Sequence, residues 1–157
     1  MTMKRMLFNY IPTVRYSSDS LLKSGDKLKR TRIFSSQDLV EFSKLSFDAN
    51  PLHLDSEYAR NAGFKDRIVP GMLVSSLFPT IIASHFPGAV YASQTLHFRL
   101  PVYVDEEIVG EVEATNIREL KKKYIAKFTT RCFNGSGVLV LDGEAMAVLP
   151  TLSQTQA

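Results

Sequence analysis

Residues 68–88, IVPGMLVSSLFPTIIASHFPG, decide the architecture. Pro70-Gly71 opens the run Met72–Phe86, and Pro87-Gly88 closes it. Within the run, Met72, Leu73, Val74, Leu77, Phe78, Ile81, Ile82, Ala83 and Phe86 point in nearly every direction around a helix. A helix that is apolar all round belongs at the centre of a fold. Pro79 removes an internal hydrogen bond, which predicts a kink at that point.

Downstream the spacing changes to strict alternation. Val90–Pro101 reads as one strand. In Glu107–Arg118, Ile108, Gly110, Val112 and Ala114 share one face, and Glu111, Glu113 and Thr115 share the other. Tyr124, Ala126, Phe128, Thr130 and Cys132 alternate with Lys123, Lys127 and Arg131. Asn134-Gly135-Ser136-Gly137 reads as a hairpin turn, because Asn and Gly tolerate positive φ. In Val138–Leu149, Leu139, Leu141, Ala145 and Ala147 share a face. Such period-2 patterning predicts a half-buried antiparallel sheet.

Upstream, Lys27–Phe34 reads as a strand after a polar linker at Ser17–Gly25. Ser35 and Ser36 offer N-caps for a helix over 37–46, with Leu39, Val40, Phe42 and Leu45 as its apolar stripe. Asp55 or Ser56 can cap a short helix, Glu57–Ala62, closed by Gly63. The expected fold class is α+β. A single domain over residues 19–150 has a central apolar helix wrapped by a curved antiparallel sheet, the hotdog arrangement. Residues 151–157 read as a flexible tail.

The length of 157 residues suffices for one such core. With 45% hydrophobic and 22% charged residues, the composition is that of an ordinary globular domain. No run of 18 apolar residues offers a membrane span. The single cysteine, Cys132, excludes an intrachain disulfide and a cysteine-built metal site. It reads as a core thiol.

The net charge of +3 belongs to the first segment. Residues 1–18 hold Lys4, Arg5 and Arg15 and no acid, so the remaining chain is balanced. Nucleic-acid binding is disfavoured, because a balanced body lacks the basic stripe it needs. The leader's spaced cations, bulky apolar residues and terminal serines have the composition of a mitochondrial transit peptide. The expected location is the mitochondrial matrix.

The chemistry concentrates in Asp48-Ala49-Asn50-Pro51-Leu52-His53. A carboxylate, an amide and an imidazole share one short turn that Pro51 stiffens. An unperturbed Asp titrates at ~3.9 and His at ~6.5, so the two can divide acid and base roles on a bound substrate. The same spacing also fits an Asx-turn, in which Asp48 and Asn50 cap local backbone and His53 only packs. A metal site is disfavoured by the single imidazole. Gly71, at the start of the buried helix, provides free backbone N–H groups and close approach for a carbonyl oxygen. The alternative is that Gly71 merely permits the turn into the helix.

Phe42–Ala59, with Asp48-x-Asn50-Pro51-Leu52-His53 at its centre, resembles the hydratase motif of the MaoC-like, or (R)-specific enoyl-thioester hydratase, family. Ile68-Val69-Pro70-Gly71-Met72-Leu73 resembles that family's entry into the central helix. Ser93–Val102 and Asp105-Glu106 resemble its next strand and turn, so the likeness spans about residues 25–150. The resemblance implies a hotdog homodimer that adds water to trans-2-enoyl thioesters or removes it from (3R)-3-hydroxyacyl thioesters. By match, Asp48 and His53 are the catalytic pair, Asn50 orients, and the Gly71 N–H holds the thioester carbonyl. No metal or organic cofactor is needed for this chemistry. Which of Asp48 and His53 handles which proton stays open.

Two positions depart from the family pattern. Many relatives have Gly where this chain has Phe47, a change expected to alter packing only. Pro79 stands where relatives place a small hydroxyl residue, which leaves Ser75 and Ser76 as doubtful substitutes. His85 and His97 read as structural. Lys65, Arg67, Arg99 and Lys121-Lys122-Lys123 are cations that could meet carrier phosphates. The acyl pocket is expected among Met72, Leu77, Phe78 and Ile81.

With the leader, the leading expectation is a mitochondrial 3-hydroxyacyl-[acyl-carrier-protein] dehydratase of fatty acid synthesis. An (R)-specific hydratase acting on coenzyme A thioesters is the near alternative. A hotdog thioesterase and a non-catalytic acyl-binding subunit are the others.

Overall fold

The computed structural model describes residues 16–155. Residues 1–15, which carry most of the leader expectation, lie outside the described residues. Five antiparallel strands form the main sheet in the order β2 (Lys27–Ile33), β5 (Glu107–Leu120), β6 (Lys123–Asn134), β7 (Leu139–Leu149) and β3 (Val90–Gln94). The two-residue strand β4 (His97–Phe98) also pairs with β7. Two helices follow β2, α1 (Ser36–Ser46) and then the single turn α2 (Pro51–Leu54). Next come α3 (Ser56–Asn61) and the central pair α4 (Gly71–Ser75) and α5 (Leu77–His85). This is the α+β hotdog architecture, with β5, β6 and β7 as its meander.

The alternation of β5 holds as read. Ile108, Gly110, Val112 and Ala114 are buried on the face toward α5. Gly110 lets the helix lie close: a Cβ there would stand 3.2 Å from Ile81 Cδ1 and from Leu77 Cβ. Leu77, Phe78, Ile81, Ile82 and Phe86 are each at most 4% exposed and form the centre of the core with Phe128, Ala126 and Leu149.

The central run is interrupted at Ser76, three residues before Pro79. Pro79 has no N–H to give to the carbonyl four residues back, at Ser75, so the expected interruption falls one turn ahead of the proline. Several other expectations need correction. Val90–Pro101 is not one strand: β3 and β4 bond to β7 separately, with Thr95 and Leu96 between them. The expected linker and flexible tail both contain strands. β1 (Tyr16–Leu21) pairs antiparallel with β8 (Ser153–Thr155), and the Leu22 N–H donates to Leu152 O at 2.9 Å. In the 134–137 turn, Asn134 keeps an ordinary φ and Gly137 takes the positive one, +76°. Asn134 Oδ1 instead accepts the Ser136 and Val138 N–H groups.

The α1 stripe is largely uncovered in the single chain. Ser35 caps the helix in a reciprocal box with Asp38, as its position foretold. Leu39 is buried, but Val40 is exposed and Leu45 is 82% exposed.

Candidate active site

The chain leaves α1 through Phe47, whose φ of 59° is left-handed. That geometry costs a residue with a β-carbon about 1 kcal/mol. Phe47 therefore strains backbone as well as altering packing, and its ring is 91% exposed. Ser46 Oγ accepts the Asp48 N–H at 3.2 Å and closes this reversal. Asp48 Oδ1 then accepts the Asn50 N–H at 3.0 Å, and Asn50 Oδ1 accepts the Leu52 N–H at 3.1 Å. Asn50 is thus the N-cap of α2, with Pro51 at a favourable first position. The Asx-turn contacts exist, but they leave the second carboxylate oxygen of Asp48 and the amide nitrogen of Asn50 out of the turn.

What they leave over converges. His53 Nδ1 lies 2.7 Å from the carbonyl oxygen of Ile68. A carbonyl only accepts, so this bond places the proton on Nδ1 and leaves Nε2 of the neutral ring with a free lone pair. Nε2 stands 3.7 Å from Asp48 Oδ2. That gap is wider than a hydrogen bond and can be bridged by one small group. The imidazole is mostly shielded, its side chain 11% exposed, whereas the Asp48 carboxylate is 45% exposed. A buried, oriented base beside an open carboxylate is an arrangement for proton transfer at the protein surface.

The 68–71 segment ties the second half of the site to this pair. The Ile68 N–H donates to Leu52 O at 3.1 Å, so motif and segment are laced by two bonds. Gly71 follows three residues later, a span of at most about 11 Å of chain. Gly71 and Met72 open α4, and their N–H groups have no intrahelical acceptor. Because α4 has only five residues, the N–H groups themselves, and not a long helix dipole, are what this start provides.

The glycine has a specific neighbour. A Cβ at Gly71 would stand 2.4 and 2.5 Å from Cε1 and Cδ1 of Phe98, so the ring lies directly on its Cα. Both residues line a cavity of about 310 Å³ whose walls include Val69, Val74, Leu100, Val102 and Leu141. Asp48 and His53 are not among its walls, but Ile68, which holds His53, is. The expected pocket residues are differently placed. Leu77, Phe78 and Ile81 are sealed in the core, and Met72 is 61% exposed. The cavity is walled in part by Phe98-Arg99-Leu100-Pro101-Val102, whose pattern reads from the sequence simply as strand. The role of the Ile68 carbonyl, a backbone atom, has no sequence signal.

Other candidates resolve as follows. Ser75 and Ser76 hydroxyls donate to Met72 O and Leu73 O of their own helix. Arg99 is held by both oxygens of Asp142 at 3.1 and 3.2 Å, with His97 3.6 Å from the same carboxylate. Arg67 donates to Ser36 Oγ at 2.7 Å and lies beside Asp66. The Arg67 N–H and the Ser56 hydroxyl hold the Asp66 carboxyl below its usual range. Lys65 and Lys121–Lys123 make no ion pair among the described residues. Burial, aided by the nearby Arg30 charge, lowers His85 below the ordinary histidine range. Cys132 is fully buried, and burial pushes its thiol up to about 12.

A family model described as MaoC like domain matches residues 20–131. The chain belongs to the MaoC-like family. It is 56% identical over 153 residues to a mitochondrial 3-hydroxyacyl-[acyl-carrier-protein] dehydratase of Solanum lycopersicum, covering 97% of this chain and 93% of that one. It is 57% identical over 141 residues to the mitochondrial enzyme of the same description from Arabidopsis thaliana, covering 89% and 85%. Among solved structures, an (R)-hydratase from A. caviae superposes with a TM-score of 0.78 at 40% identity, covering 85% of this chain and all of that one.

Proposed function

We propose that this MaoC-like chain is a hydro-lyase that reversibly dehydrates (3R)-3-hydroxyacyl thioesters on acyl carrier protein to trans-2-enoyl thioesters in mitochondrial fatty acid synthesis. The observation that carries the chemistry is the His53–Asp48 pair, with Nδ1 committed to Ile68 and Nε2 facing Oδ2. The carrier and the setting rest on the two plant relatives named as mitochondrial acyl-carrier-protein dehydratases.

In the dehydration direction, the thioester carbonyl accepts from the Gly71 N–H. His53 Nε2 takes the C2 proton, and the resulting enolate oxygen is stabilised by that donor. The enolate electrons form the C2–C3 double bond as the C3 hydroxyl leaves with a proton from Asp48. The pair begins and ends with one shared proton, which returns from Nε2 to Oδ2 across the 3.7 Å gap. Asn50 contributes by fixing the turn through its cap on Leu52.

The active form in this proposal is a homodimer. The outer edge of β3 pairs with no strand among the described residues. Leu45, Phe47, Val90 and Leu100 also leave apolar surface open. Residues 1–18 act as the leader to the mitochondrial matrix, tested by fusing them to a reporter and reading its location.

The likeness to a solved (R)-hydratase favours a second reading, hydration of enoyl-coenzyme A. One experiment separates the two: kcat/KM for the same acyl chain carried on acyl carrier protein and on coenzyme A. A preference for the protein-borne substrate supports the dehydratase of synthesis. Preference for coenzyme A overturns it in favour of the hydratase.

A further inference from the structure

We propose that Phe98 is the specificity-determining gate of the acyl-chain chamber. The inference rests on the dehydratase reading and deepens it. The ring of Phe98 occupies the position a Cβ of Gly71 would take, so it lies against the residue whose N–H would hold the thioester carbonyl. Both residues line the cavity of about 310 Å³, whose other walls are apolar except for Arg99. An apolar chamber of this size, beginning beside the carbonyl donor, suits the hydrocarbon tail of the substrate and not its polar carrier arm.

The ring is enclosed on one side only. Phe98 is 56% exposed, so one side is held by Gly71 and the rest opens outward. Rotamer changes of such half-open side chains are fast and disturb no packed core. Its backbone, in contrast, is fixed. Phe98 pairs with Leu141, the next N–H donates to Val140 O at 2.9 Å, and the Arg99 side chain is held by Asp142. A fixed backbone carrying a movable ring over a chamber makes a gate whose bulk sets how much chain fits behind it. Phe98 touches the acyl tail and takes no part in proton transfer.

The test compares kcat/KM for C4, C8 and C12 trans-2-enoyl thioesters in the wild-type protein, Phe98→Ala and Phe98→Trp. One methylene in an apolar pocket changes discrimination about 10- to 200-fold. The C12-to-C4 ratio is therefore expected to rise at least about tenfold in Phe98→Ala and to fall in Phe98→Trp, with the change mainly in KM. Phe98→Leu, a milder change, gives an intermediate ratio and guards against loss of folding in the other two. A second arm uses Gly71→Ala, whose new methyl must displace the ring. Its chain-length profile should shift, and Gly71→Ala/Phe98→Ala should return to that of Phe98→Ala alone. Ratios unmoved in folded, active Phe98 variants overturn the gate and leave the dehydratase reading standing. A wild-type protein that hydrates none of the three substrates overturns the dehydratase reading itself.

Discussion

His53 Nδ1 lies 2.7 Å from the carbonyl oxygen of Ile68, fifteen residues along the chain. This bond joins the Asp48–His53 turn to the segment that enters the central helix. It requires the Nδ1–H tautomer of the neutral ring. Nitrogen NMR of the labelled protein above pH 8 should show His53 protonated at Nδ1 and bare at Nε2. An Nε2–H tautomer would remove the lone pair that the proposed base needs.

Removing either member of the pair should strike the chemical step. His53→Ala and Asp48→Asn are each expected to lower kcat for enoyl-thioester hydration about 10²- to 10⁴-fold, the usual weight of a positioned acid or base. KM should change little. The double variant should fall only slightly further, because both groups serve one proton circuit. Steady-state kinetics decides. Additive losses would mean that the two act independently.

Phe47 offers a gain in stability. Its left-handed φ of 59° strains the backbone, and its 91% exposed ring gives the single chain little packing in return. Phe47→Gly should relieve about 1 kcal/mol of strain, less the entropy that glycine adds to the unfolded chain. A net gain of at most about 0.5 kcal/mol is expected in urea unfolding of the dilute protein. A clear loss would mean that the ring is packed in solution, as partner contact would require.

Gly110 should tolerate no side chain. In Gly110→Ala the methyl would stand 3.2 Å from both Ile81 Cδ1 and Leu77 Cβ, deep in the core. Overpacking of this kind costs about 1–3 kcal/mol. Thermal unfolding measures it, and an unchanged midpoint would show that α5 can retreat from β5 freely.

How much of this was legible before the fold follows from what each interaction is made of. The helix at 71–85 and the alternation of β5 could be read because side-chain polarity reports burial directly. The cap at Ser35 and the closing glycine at Gly63 could be read because their geometry is local. Asp48 and His53 could be singled out by residue type, and the Asp48–Asn50 contacts are Asx chemistry that sequence foresees. The rest depends on atoms without a sequence signature. The Ile68 carbonyl is backbone, the Gly71–Phe98 contact joins residues 27 apart through a fold-dependent approach, and the β1–β8 ribbon pairs the two ends of the described chain. The interruption at Ser76 could be read from Pro79, because a proline's missing N–H disturbs the turn ahead of it.

Glu111 carries the last prediction. It was expected on the open face of β5, opposite Gly110, yet its side chain is only 6% exposed. Lys29 Nζ at 3.1 Å, Arg131 at 3.1 Å and Lys27 at 3.7 Å surround it. Burial pushes the carboxyl up, but the hydrogen bonds from Lys29 and Arg131 and the charges of Lys27 and Lys29 outweigh it and hold it below its ordinary value. A carboxylate whose folded value is depressed stabilises the fold fully above its unfolded value. That contribution is lost as pH falls from about 4.5 through the folded value. Glu111→Gln should therefore destabilise by about 1–3 kcal/mol near pH 7, since it strips a charged hydrogen-bonding partner from three cations that remain partly solvated. Below pH 4.5 the wild-type protein should lose its advantage progressively, and the two unfolding curves should converge. Urea titrations of both proteins at pH 7, 5, 4 and 3 test this. A difference that stays constant across that range would show that packing of the side chain, and not its charge, is what the cluster contributes.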